Sequence, residues 1–113
     1  MKITSGLCVI IVLVLSACAS VDEQENPRIN NTTAAQANTQ LGIMHMREGN
    51  YDTARSKLEK ALELQPDRPD THEAIAILFA RVGETGLAEK HYRKALEINP
   101  DYARGRNNYG QFL

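Results

Sequence analysis

The side chains best suited to act as nucleophile, general base or metal ligand are Cys18, His45, His72 and His91. His72-Glu73 opens the His-Glu-x-x-His pattern by which one helix face holds zinc beside a base. Ala76 stands where the second histidine must fall, so no metal motif is complete. Each histidine sits on a repeating helical position, where packing or a surface role is the simpler expectation. Cys18 carries a thiol, but the polar stretch after it, Ala19 to Thr33, supplies no histidine base. No Gly-x-Ser-x-Gly turn and no glycine-rich phosphate loop occur. The expectation is a non-enzyme with no cofactor, no metal and no small-molecule substrate.

The elements that position these residues follow from composition. The chain has 113 residues, 42% apolar and 24% charged, which suits one small globular unit. No Trp, few aromatics and abundant Ala, Leu, Glu, Lys and Arg favour helices over a sandwich or barrel, so an all-α fold is predicted. The 13 basic and 14 acidic residues leave a net charge of -1, which gathers no phosphate backbone, and nucleic acid is not expected as a partner.

At the amino terminus Lys2 precedes an apolar run from Leu7 to Leu15. The run is far shorter than the roughly 20 residues that span a bilayer and fits a signal-peptide core. It ends in Leu15-Ser16-Ala17-Cys18, which resembles the lipobox of bacterial lipoproteins. That resemblance implies cleavage before Cys18, acylation of its thiol and a membrane anchor that does not span the bilayer. Gram-negative lipoproteins commonly stay in the inner membrane when Asp follows the cysteine. Ala19 stands there instead, so the resemblance points to the periplasmic face of the outer membrane. Residues 18–33 read as the lipidated cysteine and a flexible tether, acidic near its start and interrupted by Pro27. Cys8 lies inside the removed segment, so the mature chain forms no internal disulfide.

From residue 34 onward the sequence repeats with a period of 34 residues. Gly42, Ala76 and Gly110 stand one period apart, as do Gly49 and Gly83, Ala54 and Ala88, Ala61 and Ala95, Leu62 and Leu96, and Pro66 and Pro100. His72, Ile75, Ala76 and Phe79 form one helical stripe, and Ala88, Tyr92, Ala95 and Leu96 form that of its partner. Small residues let paired helices approach, while Leu58, Phe79 and Tyr92 fill the space between them. Gly49 and Gly83 are expected to end the first helices in the left-handed conformation, with Asn50 as a cap for the next. Pro69 suits a first turn, and Pro66 and Pro100 stop the second helices.

The period and its small, aromatic and proline positions resemble the tetratricopeptide (TPR) repeat, a pair of antiparallel helices stacked into an α-solenoid. Repeat one covers about 35–68, repeat two about 69–102, and a partial third 103–113. Asn38 and His45 replace the large aromatic residues usual in a first helix, and Thr85 stands where repeat one has Tyr51. Solenoids generally need three or more repeats, so this chain reads as a fragment or truncated product whose second repeat, with Leu87, Tyr92 and Leu96, lacks cover. Misfolding or association is the expected consequence.

The TPR resemblance implies that first helices line a concave groove that binds a polypeptide. Carried onto this sequence, the groove comprises Gln36, Thr39, Ile43, Met46 and Arg47 from repeat one. Asp70, Glu73, Ile77, Ala80 and Arg81 follow from repeat two, and Arg104, Asn107 and Gln111 from the third. Arg47 and Arg81 stack one repeat apart, a mixed apolar and basic lining suited to an acidic or carboxylate group. A lipobox followed by TPRs resembles the type IV pilus biogenesis lipoproteins of the PilF/PilW family. The likeness lies in Leu41-Gly42, in Arg93-Lys94-Ala95-Leu96, and above all in the stretch Asn107-Asn108-Tyr109-Gly110-Gln111-Phe112-Leu113. It implies a pilotin whose partner is a secretin subunit. A general envelope scaffold, such as an adaptor for peptidoglycan hydrolases, shares the anchor and repeats and is the alternative.

Overall fold

The computed structural model describes residues 26–113; the signal segment, Cys18 and the first part of the tether lie outside that range. Five helices follow in order: α1 Pro27–Arg47, α2 Tyr51–Leu64, α3 Pro69–Arg81, α4 Thr85–Ile98 and α5 Ala103–Phe112. Among the described residues there is no strand, and no helix is long and apolar enough to cross a membrane. The all-α expectation holds, with α1–α2 and α3–α4 as two hairpins and α5 opening a third unit.

The punctuation works as its residues dictate. Gly49 and Gly83 take φ of 78° and 82°. Behind them Asn50 N–H reaches His45 O at 2.9 Å and Glu84 N–H reaches Phe79 O at 2.8 Å, the six-to-one bond that closes a helix end when glycine is left-handed. Gln65 and Asn99 are extended, as residues before proline must be, and they end α2 and α4. Pro69 starts α3. Asn50 does stand at the start of α2, but its side chain makes no capping bond there.

The tether is shorter than the sequence indicates. Asn26 accepts from Arg28 N–H at 3.1 Å, Pro27 occupies the first turn, and residues 27–33 continue into α1. These turns show no apolar period because they bury little. Their helicity comes from the Asn-Pro start and from Gln65, which donates from the end of α2 to Thr32 Oγ1 at 2.7 Å.

The core runs along the seam of each hairpin. Leu58 is 0% exposed and lies against Gly42, while Ala54, Ala61, Ala76, Ala88 and Ala95 let the backbones close around it, Phe79 and Tyr92. Tyr92 is covered rather than bare, because Tyr109 of α5 stacks on it and Phe112 leans against it with its ring tilted, the centroids 5.4 and 5.3 Å away. Leu87 does remain exposed.

Candidate functional site

Helices α1, α3 and α5, the first of each unit, build a concave surface. One hollow of about 210 Å³ is lined by Ile43, Met46 and Arg47 of α1, Glu73, Ala74, Ile77 and Arg81 of α3, and Arg104 and Asn108 of α5. A neighbouring hollow of about 290 Å³ shares Ile77 and Asn108 and adds Ala80, Tyr92, Gln111 and Phe112, so the two form one groove. Nine of the thirteen predicted groove residues come together there: Ile43, Met46, Arg47, Glu73, Ile77, Ala80, Arg81, Arg104 and Gln111.

Four do not. Thr39 is buried, and its hydroxyl meets that of Thr71 at 2.8 Å while donating back to Ala35 O at 2.9 Å, so it ties α1 to α3. Asp70 accepts from Arg68 at 2.7 and 3.1 Å and from Thr71 N–H at 3.0 Å, closing the start of α3. Gln36 and Asn107 are exposed on their helices and line neither hollow. The residues the sequence reading missed are Ala74, Asn108, Tyr92 and Phe112. Ala74 was readable, since it lies four residues after Asp70 and three before Ile77 on the same stripe.

The groove is electrically lopsided. Its lining contains one carboxylate, Glu73, which is 2% exposed, accepts from the Tyr102 hydroxyl, from Asn108 Nδ2 and from Arg104 Nε at 2.8 Å, and pairs with Arg104 Nη2 at 2.7 Å while that nitrogen donates to the Tyr102 hydroxyl at 2.6 Å. Glu73 is therefore saturated, and it fastens α5 to α3. The Tyr102 phenol is held above its usual range, first by burial and then by its bond to Glu73. The Arg104 guanidinium is also raised, chiefly by its hydrogen bond to Glu73. Arg81 donates to Met46 O at 3.3 Å, at the negative end of α1. Arg47 lines the same hollow and has no hydrogen-bond or ion-pair partner among the described residues. The arrangement offers two guanidinium groups above a floor of Ile43, Met46, Ala74 and Ile77.

A separate concavity of about 600 Å³, lined by His72, His91 and the outer face of α4, shares no residue with the groove. His72 Nε2 lies 2.7 Å from Pro66 O, which only accepts, so that nitrogen carries the proton and its Nδ1 receives one from His91 Nδ1 across 3.1 Å. Burial, then His72, then Lys90 push His91 down to about 4 from 6.5. The unfolded chain thus binds more protons between those values. The contribution is complete above 6.5 and is lost as pH falls toward about 4. Water reaches the half-buried ring, so we expect a loss of only about 1 kcal/mol, a Tm fall of about 4–8 °C. Parallel melts at neutral pH and at the acid end of that window check it; His91→Leu should flatten the difference, and an equal fall in both chains would place the acid sensitivity elsewhere. No group of three or more His, Cys, Asp and Glu among the described residues is arranged to hold a metal.

Comparison with known proteins bears on both groove and fold. The model of the tetratricopeptide repeat family matches residues 33–101. The type IV pilus assembly protein PilF of Pseudomonas aeruginosa is 35% identical over 115 residues, covering 100% of this chain and 46% of that protein. An uncharacterized protein of Haemophilus influenzae is 30% identical, covering 93% of this chain and 57% of its own length. A solved structure of Pseudomonas aeruginosa PilF superimposes with a TM-score of 0.72 at 42% identity, over 74% of this chain and 38% of that one. The chain spans about half the length of the curated relatives it matches.

Proposed function

This chain belongs to the tetratricopeptide repeat family, and from that premise we propose that it is an outer-membrane, lipid-anchored adaptor of type IV pilus assembly that holds an acidic segment of a secretin subunit in the α1–α3–α5 groove. One observation carries the reading. Arg47 and Arg81 stand at a single apolar-floored hollow whose only carboxylate is already satisfied, so a partner's carboxylate meets positive charge and no competing acid. The likeness to PilF supports the pilus assignment, and Leu15-Ser16-Ala17-Cys18 supports acylation of Cys18. The mechanism is concentration rather than chemistry. An acyl anchor confines the groove near the membrane, and the groove retains secretin monomers there while they multimerise.

Arg47→Glu is the cleanest test, because Arg47 makes no hydrogen bond or ion pair among the described residues and its only other role is as a cation in the last turn of α1. A charge-assisted hydrogen bond is worth about 1.5–3 kcal/mol, so reversal is expected to weaken partner binding by about 10-fold or more. Stability should fall by only about 1 kcal/mol, the cost of placing an anion in the last turn of α1. Binding to purified secretin subunits and a thermal melt measure both; unchanged affinity discards the site. Deletion of the full-length gene should remove secretin multimers and twitching motility, and normal pili would sink the pilus reading.

A further inference from the structure

The outward face of α1 is unusual for a surface helix. Ile29, Thr33, Ala37, Gln40, Leu41 and Met44 fall on one side of it, and all six are exposed and uncharged. Ile29 is 65% exposed, Leu41 37% and Met44 45%. The stripe runs over four turns on the side of α1 away from the Gly42–Leu58 seam, and no helix among the described residues covers it. α1 also contains no Asp or Glu; its only ionisable side chains are Arg28, His45 and Arg47.

The correction to the tether gives this face a position. With α1 beginning at Pro27, the α1 cap Asn26 stands only eight positions after Cys18. Eight residue steps reach at most about 26–29 Å. An acylated Cys18 therefore keeps the start of α1 within a few nanometres of the headgroups at all times, which makes even a weak contact well populated.

We infer that the Ile29–Met44 face of α1 lies against the lipid surface, so that the helix and the acyl chain form one two-point attachment. The inference rests on the proposed acylation of Cys18. A charge-free stripe suits the headgroup–acyl boundary, where Ile29, Leu41 and Met44 leave water and Thr33 and Gln40 keep hydrogen bonds to headgroups and interfacial water. Arg28 falls on the opposite side of α1 from the stripe, Arg47 lies only at its edge, and Glu48 stands just past the end of the helix, so the stripe itself carries no charge of either sign. Because Asp22, Glu23 and Glu25 precede the helix, the attraction comes from the apolar stripe rather than from net charge. The attachment also sets orientation. Arg47 falls at the edge of the stripe and lines the groove, so a membrane-seated α1 places the groove mouth beside the bilayer, facing along it rather than away from it.

The chain has no Trp, so single reporters are clean. Full-length acylated chains carrying Met44→Trp, or Ser56→Trp on the exposed face of α2 as control, are mixed with vesicles of three parts phosphatidylethanolamine to one part phosphatidylglycerol containing brominated lipid. Flotation of the vesicles reports the anchor, and quenching reports the helix face. We expect both chains to float, Met44→Trp to be quenched and blue-shifted, and Ser56→Trp to keep its emission. Adding Ile29→Gln and Leu41→Gln should remove most of the quenching while flotation persists. Flotation with no quenching at Met44→Trp overturns the α1 contact and leaves the anchor standing; absence of flotation together with unshifted emission overturns both. Equal quenching at the two reporters, or a blue shift that grows with protein concentration and needs no vesicles, also overturns it, the latter by assigning the stripe to a second copy of the chain.

Discussion

Gly42→Val is expected to cost about 3 kcal/mol or more of folding stability and Gly42→Ala about 1–2 kcal/mol, whereas Gly110→Ala, at the same repeat position, should stabilise by about 0.5–1 kcal/mol. Helix propensity favours alanine over glycine by about 1 kcal/mol at both sites, so only packing can split the signs. A Cβ on Gly42 would fall 2.6 Å from Leu58 Cγ, 2.7 Å from its Cδ2 and 3.2 Å from the Ala54 carbonyl. Leu58 is fully buried and cannot swing into water, so α1 and α2 must part along their seam. Nothing lies within 4 Å of a Cβ on Gly110. Urea denaturation of the three variants decides the matter: a Gly42→Ala chain as stable as its parent would mean that the first hairpin is not closed as tightly as described.

That contrast shows what the period can and cannot convey. A 34-residue repeat identifies Gly42, Ala76 and Gly110 as equivalent, and it places Gly49, Gly83, Pro66, Pro69 and Pro100 at helix ends, because these are local demands of φ and of missing N–H groups. It also stacks Arg47 over Arg81 and Ile43 over Ile77, and the structure brings all four to one hollow. What escaped the sequence is polar pairing off the period. Thr39 meets Thr71 across 32 residues and Glu73 meets Tyr102 across 29, neither of which a 34-residue register predicts. Both are expected from the sequence to line the groove: Thr39 is instead a buried tie between helices, whereas Glu73 does line the hollow but as a buried hub whose oxygens are already taken. The start of α1 escaped for the opposite reason. Turns that bury little carry no hydrophobic signature, and what makes them helical is a cap at Asn26 and a side chain, Gln65, from another helix.

Glu73→Ala is expected to cost about 3 kcal/mol and to release α5. The carboxylate collects the side-chain hydrogen bonds between α3 and the third unit among the described residues, and what remains to hold α5 is the packing of Tyr109 and Phe112 on Tyr92 and the Tyr109 hydroxyl, which accepts from Arg93 at 3.3 Å and donates to Glu89 at 3.1 Å on α4. The figure sits at the lower end for a broken buried pair because the Arg104 side chain is 60% exposed and regains water when its partner is lost. The same asymmetry makes the reciprocal change informative. Arg104→Met strands an ionised carboxylate at a 2% exposed position with only the Tyr102 hydroxyl and the Asn108 amide as donors. Glu73→Gln removes the charge, keeps the shape and leaves Arg104 solvated, so at neutral pH it should be milder than Arg104→Met although both break the same ion pair. Amide hydrogen exchange across Ala103–Phe112 reads the docking directly, and protection there that survives Glu73→Ala would show that the aromatic stack, not the carboxylate, seats the last helix.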